Sequence, residues 1–225
     1  VIELRRGEVS DVVLNNLYAQ TQMQSVFGIN IVALVDDQPK ILNLKQVLEA
    51  FIRHRQEVVT RRTLFLMRKA RDRAHSLEGF AVALANIDEI IQIIKQSATA
   101  ADAREKLVSK TWLPGDNVSK ILSKLEPGIA RPEWLDEKYG LKNKKYKISP
   151  EQAKDILDFR FNRLTGMEHE KIIEEFHEKL EEIATYQNIL ENTDVLMDVI
   201  KTELLEVKEE FGDDRRTEIC ESAHD

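Results

Sequence analysis

The feature that most constrains this chain is an uninterrupted helical pattern over residues 44–85. The stretch contains no proline and a single glycine, Gly79. Its apolar residues recur every seven positions, the spacing typical of a coiled-coil seam. Asn43 and Gln46 have the spacing of a capping box, so we expect the helix to begin there. About 42 residues make a rod of roughly 63 Å, which predicts a projecting arm. The predicted seam residues of this arm are Leu44, Phe51, Val58 and Phe65.

A second long apolar pattern, over residues 167–212, supplies a partner for the first. The first stretch is rich in arginine between residues 53 and 73, whereas the second is rich in glutamate. We predict an intramolecular antiparallel coiled coil, in which apolar burial supplies most of the stability. The charges would set pairing and register, because exposed ion pairs contribute only about 0 to 1 kcal/mol each. The alternative is that both charged faces are simply solvated. The predicted seam residues of the return side are Phe176, Leu180 and Ile183.

These patterns predict a mainly α fold, with a long antiparallel coiled-coil stalk, a small helical head and a short β/α remnant at the base. The return side contains the interruption NILENT at residues 188–193, which predicts two helices placed end to end. The predicted segments are a strand-and-helix remnant (1–42), an outgoing arm (43–86), a head (87–166), a return arm (167–212) and a tail (213–225).

The head has its own helix boundaries. Asn86 and Glu89 have capping-box spacing and predict that an isoleucine-rich helix starts at residue 87. Ser149 precedes a proline and is followed at the third position by Gln152, which predicts another helix start. We expect that helix to run to residue 164 and to close at Gly166 in the left-handed conformation.

Between these helices the head is expected to contain loops and a small sheet. The loop over residues 127–139 includes Trp134, which we expect to pack against the core. The basic stretch at residues 140–148 predicts a short strand pair. Near the start of the chain, the Asp36-Asp37 pair predicts a turn between residues 29–35 and residues 40–42, which would form a hairpin.

Composition limits the classes of function. The net charge is −7, which makes tight non-specific binding to nucleic acid unfavourable for the chain as a whole. A single cysteine, Cys220, excludes an internal disulfide framework and suits a reducing compartment, so a cytoplasmic location is expected. There is no apolar run of membrane-spanning length and no signal peptide, so no membrane partner is expected. The start at Val1, without methionine, suggests a piece of a longer protein.

No self-contained active site is visible in the sequence. The five histidines do not cluster with Cys220 at metal-ligand spacing, so no metal site is expected. Glycine-rich phosphate loops and the nucleophile elbow are absent. The carboxylates lie mostly on the long helices, where a solvated face is the expected role. We therefore assign no catalytic residue to this chain.

Two pairs of neighbouring arginines remain, near the two ends of the chain. If the arms pair as predicted, both pairs would lie at the base of the stalk, where clustered arginines could contact DNA phosphates. Ordinary surface ion pairing with nearby acids is an equally good interpretation at this point. The candidate DNA-binding residues are Arg5, Arg6, Arg215 and Arg216.

Four stretches, in order, carry a resemblance to a known family. They are NNLYAQTQMQSVFGIN, FIRHRQEVVTRRTLFLMRKARDRAHSLEGFAVALANIDEII, QAKDILDFRFNRLTGMEHEKI and EFGDDRRTEI. Together they resemble the A subunits of the bacterial type IIA topoisomerases, DNA gyrase and topoisomerase IV. The stretch at residues 98–147 and the motif RRTEI look more like gyrase. A stand-alone coiled-coil scaffold is the alternative from a different class.

The resemblance implies a DNA-processing holoenzyme. The family cuts one duplex with paired tyrosines and passes a second duplex through the break, and the B subunit uses ATP and contributes acidic residues that act with Mg²⁺. The catalytic tyrosine belongs to a domain that precedes this region, so no catalytic residue and no cofactor is expected here. None of the four tyrosines matches the catalytic motif. The implied partners are a second copy of the chain, the B subunit in an A2B2 assembly, and double-stranded DNA.

The resemblance also implies that the head forms the exit gate by meeting a second head across a two-fold axis. The two aliphatic helices of the head would supply an isologous contact patch. The alternative is that these residues simply fill the core of the head. The predicted gate residues are Ile87, Ile90, Ile91, Ile94, Ile156, Leu157, Arg160, Leu164 and Met167.

Overall fold

The structure, a computed structural model, describes residues 2–124, 128–159 and 166–219, without the side chains of residues 116, 117, 123, 124 and 166–169. The fold is mainly α, as predicted, with two small antiparallel hairpins. In the described ranges, no helix is both long and apolar enough to cross a bilayer. The helices are α1 (Ser10–Gln20), α2 (Leu44–Ala85), α3 (Ile87–Gln96), α4 (Ala100–Ser109), α5 (Asp116–Lys124), α6 (Pro150–Asp158), α7 (Gly166–Glu191) and α8 (Thr193–Phe211), and the strands are β1 (Ile31–Val35), β2 (Gln38–Leu42), β3 (Gly140–Lys142) and β4 (Lys145–Lys147).

The chain divides into two compact units, Val1–Arg53 and His54–Asp225. The first unit contains α1, the β1–β2 hairpin and the first turns of α2. Asp36 and Asp37 have φ of 56° and 59°. Positive φ at both central residues characterises the type I′ turn, whose twist suits a two-residue hairpin. The predicted hairpin is confirmed, with its second strand starting at Gln38.

The boundaries of the long helices follow local capping chemistry. The Asn43 side chain accepts from the Gln46 N–H at 2.9 Å, and the Gln46 side chain accepts from the Asn43 N–H at 2.9 Å. This reciprocal pair starts α2 where the sequence predicted. Asn192 ends the preceding helix and caps α8 by accepting from the Asp194 N–H at 3.0 Å. The prediction of two helices end to end on the return side is therefore confirmed.

Ion pairs in the second unit show the relative direction of its long helices. Arg55 and Arg62 both contact Glu203 of α8. Further along α2, Arg73 makes two bonds of 2.7 and 2.8 Å to Glu175 of α7. Because later residues of α2 meet earlier residues of the return side, the helices run antiparallel. The predicted antiparallel pairing is confirmed, and the basic and acidic faces are in contact.

The buried face of α2 differs from the predicted one. Leu44, Phe51 and Phe65 are 69%, 45% and 64% exposed, so their assignment to the seam is wrong, while Val58 is half-buried. Successive helical residues are about 100° apart, so Phe65 points roughly opposite to its second neighbours on either side. Those neighbours belong to the stripe that is buried. The buried stripe consists of Val59, Thr63, Met67, Ala70, Ala74 and Leu77.

On the return side, the predicted seam residues lie in the core shared with α2. Phe176 and Ile183 are fully buried, and Leu180 is nearly so. They form one cluster with Met67 and with the two alanines at residues 70 and 74. Small residues on one helix leave room for large ones on its neighbour, which is how helix faces interdigitate. The repeat of large apolar residues on α2 was therefore the wrong guide to its packed face.

The head is organised around Trp112 and Tyr146. The backbones of these two residues exchange hydrogen bonds of 2.7 and 2.8 Å, and the Trp112 indole donates to the Leu107 carbonyl at 3.0 Å. This bridge attaches the β3–β4 hairpin, which was predicted as a strand pair, to the rest of the head. The core residues around it are Ala81, Val82, Ala83, Ile90, Leu107, Val118, Ile148, Ala153 and Ile156.

Three details of the head correct the sequence analysis. Asn86 makes no side-chain cap; its amide donates instead to the Val82 and Leu113 carbonyls at 2.8 and 2.7 Å. Trp134 is only partly packed against the core: its ring meets that of buried His75 edge-on, but it is 52% exposed and its indole donates to Asp72 at 2.8 Å. Helix α6 ends at residue 158, since the next residue is extended, and residues 160–165 lie outside the described ranges. The predicted helix closure at Gly166 is wrong, because α7 begins there.

Candidate gate surface and buried polar cluster of the head

Two of the predicted gate residues belong to the core of the head. Ile90 and Ile156 have no exposed surface in the single chain, so they are not available for contact with a second one. Their assignment to the gate is wrong, because both fill the cluster around Trp112. Ile94 and Leu157 are half-buried and pack against the same cluster.

The remaining candidates are on α3. Ile87 and Ile91 are half-buried, and neither belongs to the buried clusters of the described residues. Residues four apart are neighbours on one helix face, so these two isoleucines form a short apolar stripe. Arg160 and Leu164 lie outside the described ranges, as does the side chain of Met167. A gate patch built on Ile87 and Ile91 therefore stays a prediction.

A buried polar cluster ties α2 to the start of α6. His75 and Ser149 are joined by a hydrogen bond of 2.8 Å between Nε2 and Oγ. The Ser149 hydroxyl accepts from the Gln152 N–H at 3.1 Å, and the Gln152 side chain accepts from the Ser149 N–H at 3.0 Å. This is the capping box that the sequence predicted. The Gln152 amide nitrogen also donates to the His75 carbonyl and to the Tyr146 hydroxyl, each at 2.7 Å.

Close packing of α2 on α6 makes the cluster possible. A Cβ on Gly79 would lie 2.8 Å from Cγ of Gln152. The single glycine of the long helix is therefore required by the approach of the Gln152 side chain. A second contact joins the same helices, since the Ser76 hydroxyl donates to Asp155 at 2.6 Å. The outgoing arm thus holds the N-terminal end of α6 through several polar contacts.

A cavity of about 280 Å³ opens beside this cluster, between α2, the loop at residues 128–135 and the β3–β4 hairpin. His75, Glu78, Arg131 and Tyr146 contribute its polar groups. The Tyr146 hydroxyl accepts from Gln152, which leaves its own proton for a hydrogen bond to the Glu78 carboxyl. The Arg131 guanidinium donates to the carbonyls of residues 135, 136 and 139, so it holds the loop against the cavity.

The ionisation of these groups follows from their burial. Burial raises the pKa of Glu78 to about 7, although the hydrogen bond from Tyr146 and the charge of Arg131 oppose the shift. Burial, and then the Arg131 charge, lower the pKa of His75 to about 4. Burial raises the pKa of Tyr146 above its ordinary value. Near neutral pH the histidine and the tyrosine are therefore uncharged, and Glu78 is divided between its two forms.

The sequence does not indicate the role of Glu78, because a carboxylate on a long helix is usually solvated. The sequence pattern around Gln152 predicts only a helix cap. One signal was available: a glycine inside a long helix often marks a close approach. What the sequence could not show is which neighbour approaches Gly79, since Gln152 lies far away along the chain.

The candidate DNA-binding arginines are all exposed. The Arg216 guanidinium donates to Asp213 at 3.0 Å, and Arg215 Nε donates to the Thr217 carbonyl at 2.9 Å. These local contacts agree with the surface-pairing alternative for the second pair. Arg5 and Arg6 belong to the first unit, and their role in DNA binding stays a prediction. Within the described ranges, no group of three or more His, Cys, Asp or Glu residues is placed to hold a metal ion.

Comparison with known proteins identifies the family of the chain. A sequence profile for the A subunit of DNA gyrase/topoisomerase IV matches residues 1–205. The DNA gyrase A subunit of Pseudomonas aeruginosa is 58% identical over 225 residues, which cover 100% of this chain and 24% of the relative. The corresponding protein of Aeromonas salmonicida is 54% identical over 223 residues, covering 99% of this chain and 24% of the relative. The DNA gyrase A subunit of Salmonella typhimurium is 52% identical over 225 residues, which cover 100% of this chain and 26% of the relative. The chain spans about a quarter of the length of these curated relatives and belongs to the family of DNA gyrase/topoisomerase IV A subunits.

Proposed function

We propose that this chain is the coiled-coil and exit-gate region of a DNA gyrase A subunit. The observation that carries the proposal is the similarity of the whole chain to one continuous quarter of relatives named as DNA gyrase A subunits. This similarity also favours a region of a larger protein over a stand-alone coiled-coil scaffold. The assembled enzyme is an ATP-dependent type II DNA topoisomerase of the bacterial cytoplasm, and it introduces negative supercoils into double-stranded DNA.

In this proposal the chain has a mechanical role. Two copies meet through their heads and close a cavity, and a transported duplex leaves when the heads separate. Contacts between Arg73 and Glu175, and between α2 and Glu203, keep the arms aligned while the heads move. The stripe formed by Ile87 and Ile91 is the proposed contact surface. Such a surface suits a gate, because a small apolar patch binds weakly enough to reopen.

The chemical step belongs to other parts of the enzyme. The catalytic tyrosine lies in another segment of the A subunit, and the B subunit supplies ATP hydrolysis and the acidic residues that act with Mg²⁺. The 225-residue chain is therefore inactive alone. Its partners are a second copy of the same A subunit, the B subunits of an A2B2 assembly, and DNA.

The A subunit of topoisomerase IV is the alternative, because the matching profile covers both kinds of enzyme. A plasmid assay with the complete A subunit together with its B subunit separates them. We expect relaxed plasmid and ATP to yield negatively supercoiled product. Efficient decatenation without negative supercoiling would assign the chain to topoisomerase IV. Absence of both activities would leave the scaffold as the better interpretation.

The gate assignment has its own test in the same complete enzyme. Replacing Ile87 and Ile91 with glutamate places like charges across the proposed contact, so we expect strand passage to fall while DNA cleavage is retained. The control is Phe65→Glu, which adds one charge at an exposed position of the arm. Equal strand passage in the double variant and the control would contradict the gate surface.

A further inference from the structure

The β3–β4 hairpin and the short segment before it carry a group of lysines. Residues 138–147 contain five lysines and no acidic residue, in a chain whose net charge is −7. The patch is therefore a local concentration of positive charge and not a consequence of overall composition. Its members are Lys138, Lys142, Lys144, Lys145 and Lys147.

The hairpin is anchored in the head but presents its turn to solvent. Tyr146 is fully buried, and its backbone pairs with Trp112. Lys142, Lys144 and Lys145 are exposed around the turn. Among the described residues, no carboxylate lies within 4.0 Å of their ammonium groups, whereas Lys138 pairs with Asp136 at 2.9 Å. Three lysines thus lie on a hairpin that is anchored by a buried residue, and they have no ion-pair partner among the described residues.

Two local features of this turn oppose folding. Lys142 lies directly opposite Lys145 in the strand pair, and like charges in that position repel each other. Lys144 has a φ of 62°, in the left-handed region that favours glycine or asparagine. A turn selected only for stability would avoid both features. The positive charges therefore do not contribute to the stability of the turn.

The three arginines of the arm that face the return helices do not provide the same kind of surface. Arg55 and Arg62 contact Glu203, and Arg73 contacts Glu175. Those guanidinium groups are neutralised within the chain, where they hold the helices together. The hairpin lysines, in contrast, form a cluster of positive charges on the described head that is available to bind a partner.

Lysine chemistry indicates the kind of partner. An ammonium on a flexible stem acts as a point charge, which suits phosphate oxygens, whereas reading base edges favours planar, bidentate side chains. Strands of a hairpin are about 5 Å apart, so these side chains can reach neighbouring phosphates of one backbone. We propose that the β3–β4 hairpin contacts the phosphate backbone of double-stranded DNA through Lys142, Lys144 and Lys145. This extends the proposed function and does not require the heads to dimerise.

Fluorescence anisotropy with a labelled duplex of about 30 base pairs, titrated with the 225-residue chain at several low salt concentrations, tests this proposal. The test variant replaces Lys142, Lys144 and Lys145 with glutamine. A matched control replaces three exposed lysines of the return helices, Lys171, Lys201 and Lys208, and so changes the net charge equally. Circular dichroism establishes that all three proteins have the same helicity.

We expect the hairpin variant to bind at least tenfold more weakly at the lowest salt. The plot of log affinity against log salt should become shallower, with the magnitude of its negative slope smaller by roughly 2 to 3, because each lost phosphate contact removes about 0.9. Equal binding by the two variants, or no binding by the unmodified chain, would overturn the proposal. Tighter binding of polyglutamate than of DNA would also overturn it, by assigning the hairpin to an acidic protein. Sedimentation of the same samples measures dimerisation separately. A failure of the DNA-contact proposal can therefore be distinguished from a failure of the proposed gate contact.

Discussion

At the scale of single residues, the ionisation of Glu78 makes the stability of the head depend on pH near neutrality. Its folded pKa of about 7 is higher than the ordinary value of 4.5. The folded state therefore binds the proton more tightly than the unfolded state. The stabilisation is complete below about pH 4.5 and is lost as pH rises through 7. The upper limit of the loss is about 3.5 kcal/mol, since one pKa unit corresponds to about 1.4 kcal/mol.

We predict that Glu78→Gln stabilises the head at pH 8 by roughly 2 to 3 kcal/mol and changes little at pH 5. Glutamine resembles the protonated acid and carries no charge to bury. Urea unfolding followed by circular dichroism at both pH values measures the difference. Glu137→Gln, at an exposed position of the same head, is the control and should show no such gain. A gain of equal size at pH 5 and pH 8 would disprove the assigned ionisation.

The ionisation of His75 makes the stability of the head depend on pH in the opposite direction. Its folded pKa of about 4 is lower than 6.5, so its stabilisation is complete above pH 6.5 and is lost as pH falls through 4. We predict that the histidine side chain titrates near pH 4 in the folded chain. Nuclear magnetic resonance of the ring protons over a pH series would detect this. Titration of His75 between pH 6 and 7 would contradict its buried place in the cluster.

Gly79 tests the packing of the same site. We predict that Gly79→Ala destabilises the head by about 1 to 3 kcal/mol, because the new methyl group would overlap Gln152. Without that contact, alanine in a helix would stabilise by about 0.5 to 1 kcal/mol. The combination with Gln152→Ala should cost less than the sum of the two single changes. Additive costs in chemical unfolding would show that the two residues are not in contact.

At the scale of elements, the stability cost of removing a large side chain should depend on whether that side chain lies at the packed face of α2. We predict that Phe176→Ala reduces the free energy of unfolding by about 3 to 5 kcal/mol, since its ring is fully buried against α2. Phe65→Ala should change it by no more than about 0.5 kcal/mol, because surface substitutions rarely do more. Urea unfolding of both variants measures the contrast. Similar costs would restore the seven-residue apolar repeat that includes Phe51 and Phe65 as the seam.

Elements with local signals could be predicted from the sequence, and packing between distant residues could not. The Asn43–Gln46 cap, the Asp36-Asp37 turn and the NILENT interruption act through residues close in the chain, and each is found as expected. The face of α2 that is buried depends on which residues of α7 and α8 meet it. From the sequence alone, Ile90 and Ile156 fit a surface patch and a core equally well. The packing of the head around Trp112 shows that both are in the core. Helix periodicity identifies an apolar face but not the partner that covers it.

At the scale of the whole molecule, the proposed function requires two copies of the chain to associate through the head. The apolar stripe at Ile87 and Ile91 is small, so the association should be reversible and dependent on concentration. The fully buried Ile90 and Ile156 are unsuitable for testing it, because a charge at either position would disrupt the core. Substitutions at the two half-buried positions separate association from folding.

Sedimentation of the 225-residue chain over a concentration series is the most direct test of this central claim. We expect a monomer–dimer equilibrium that shifts to monomer when Ile87 and Ile91 are both replaced by glutamate, with helicity unchanged. The Phe65→Glu control should retain the dimer. A chain that stays monomeric at high concentration, or a dimer that survives the double substitution, would contradict the assignment of this surface as the gate.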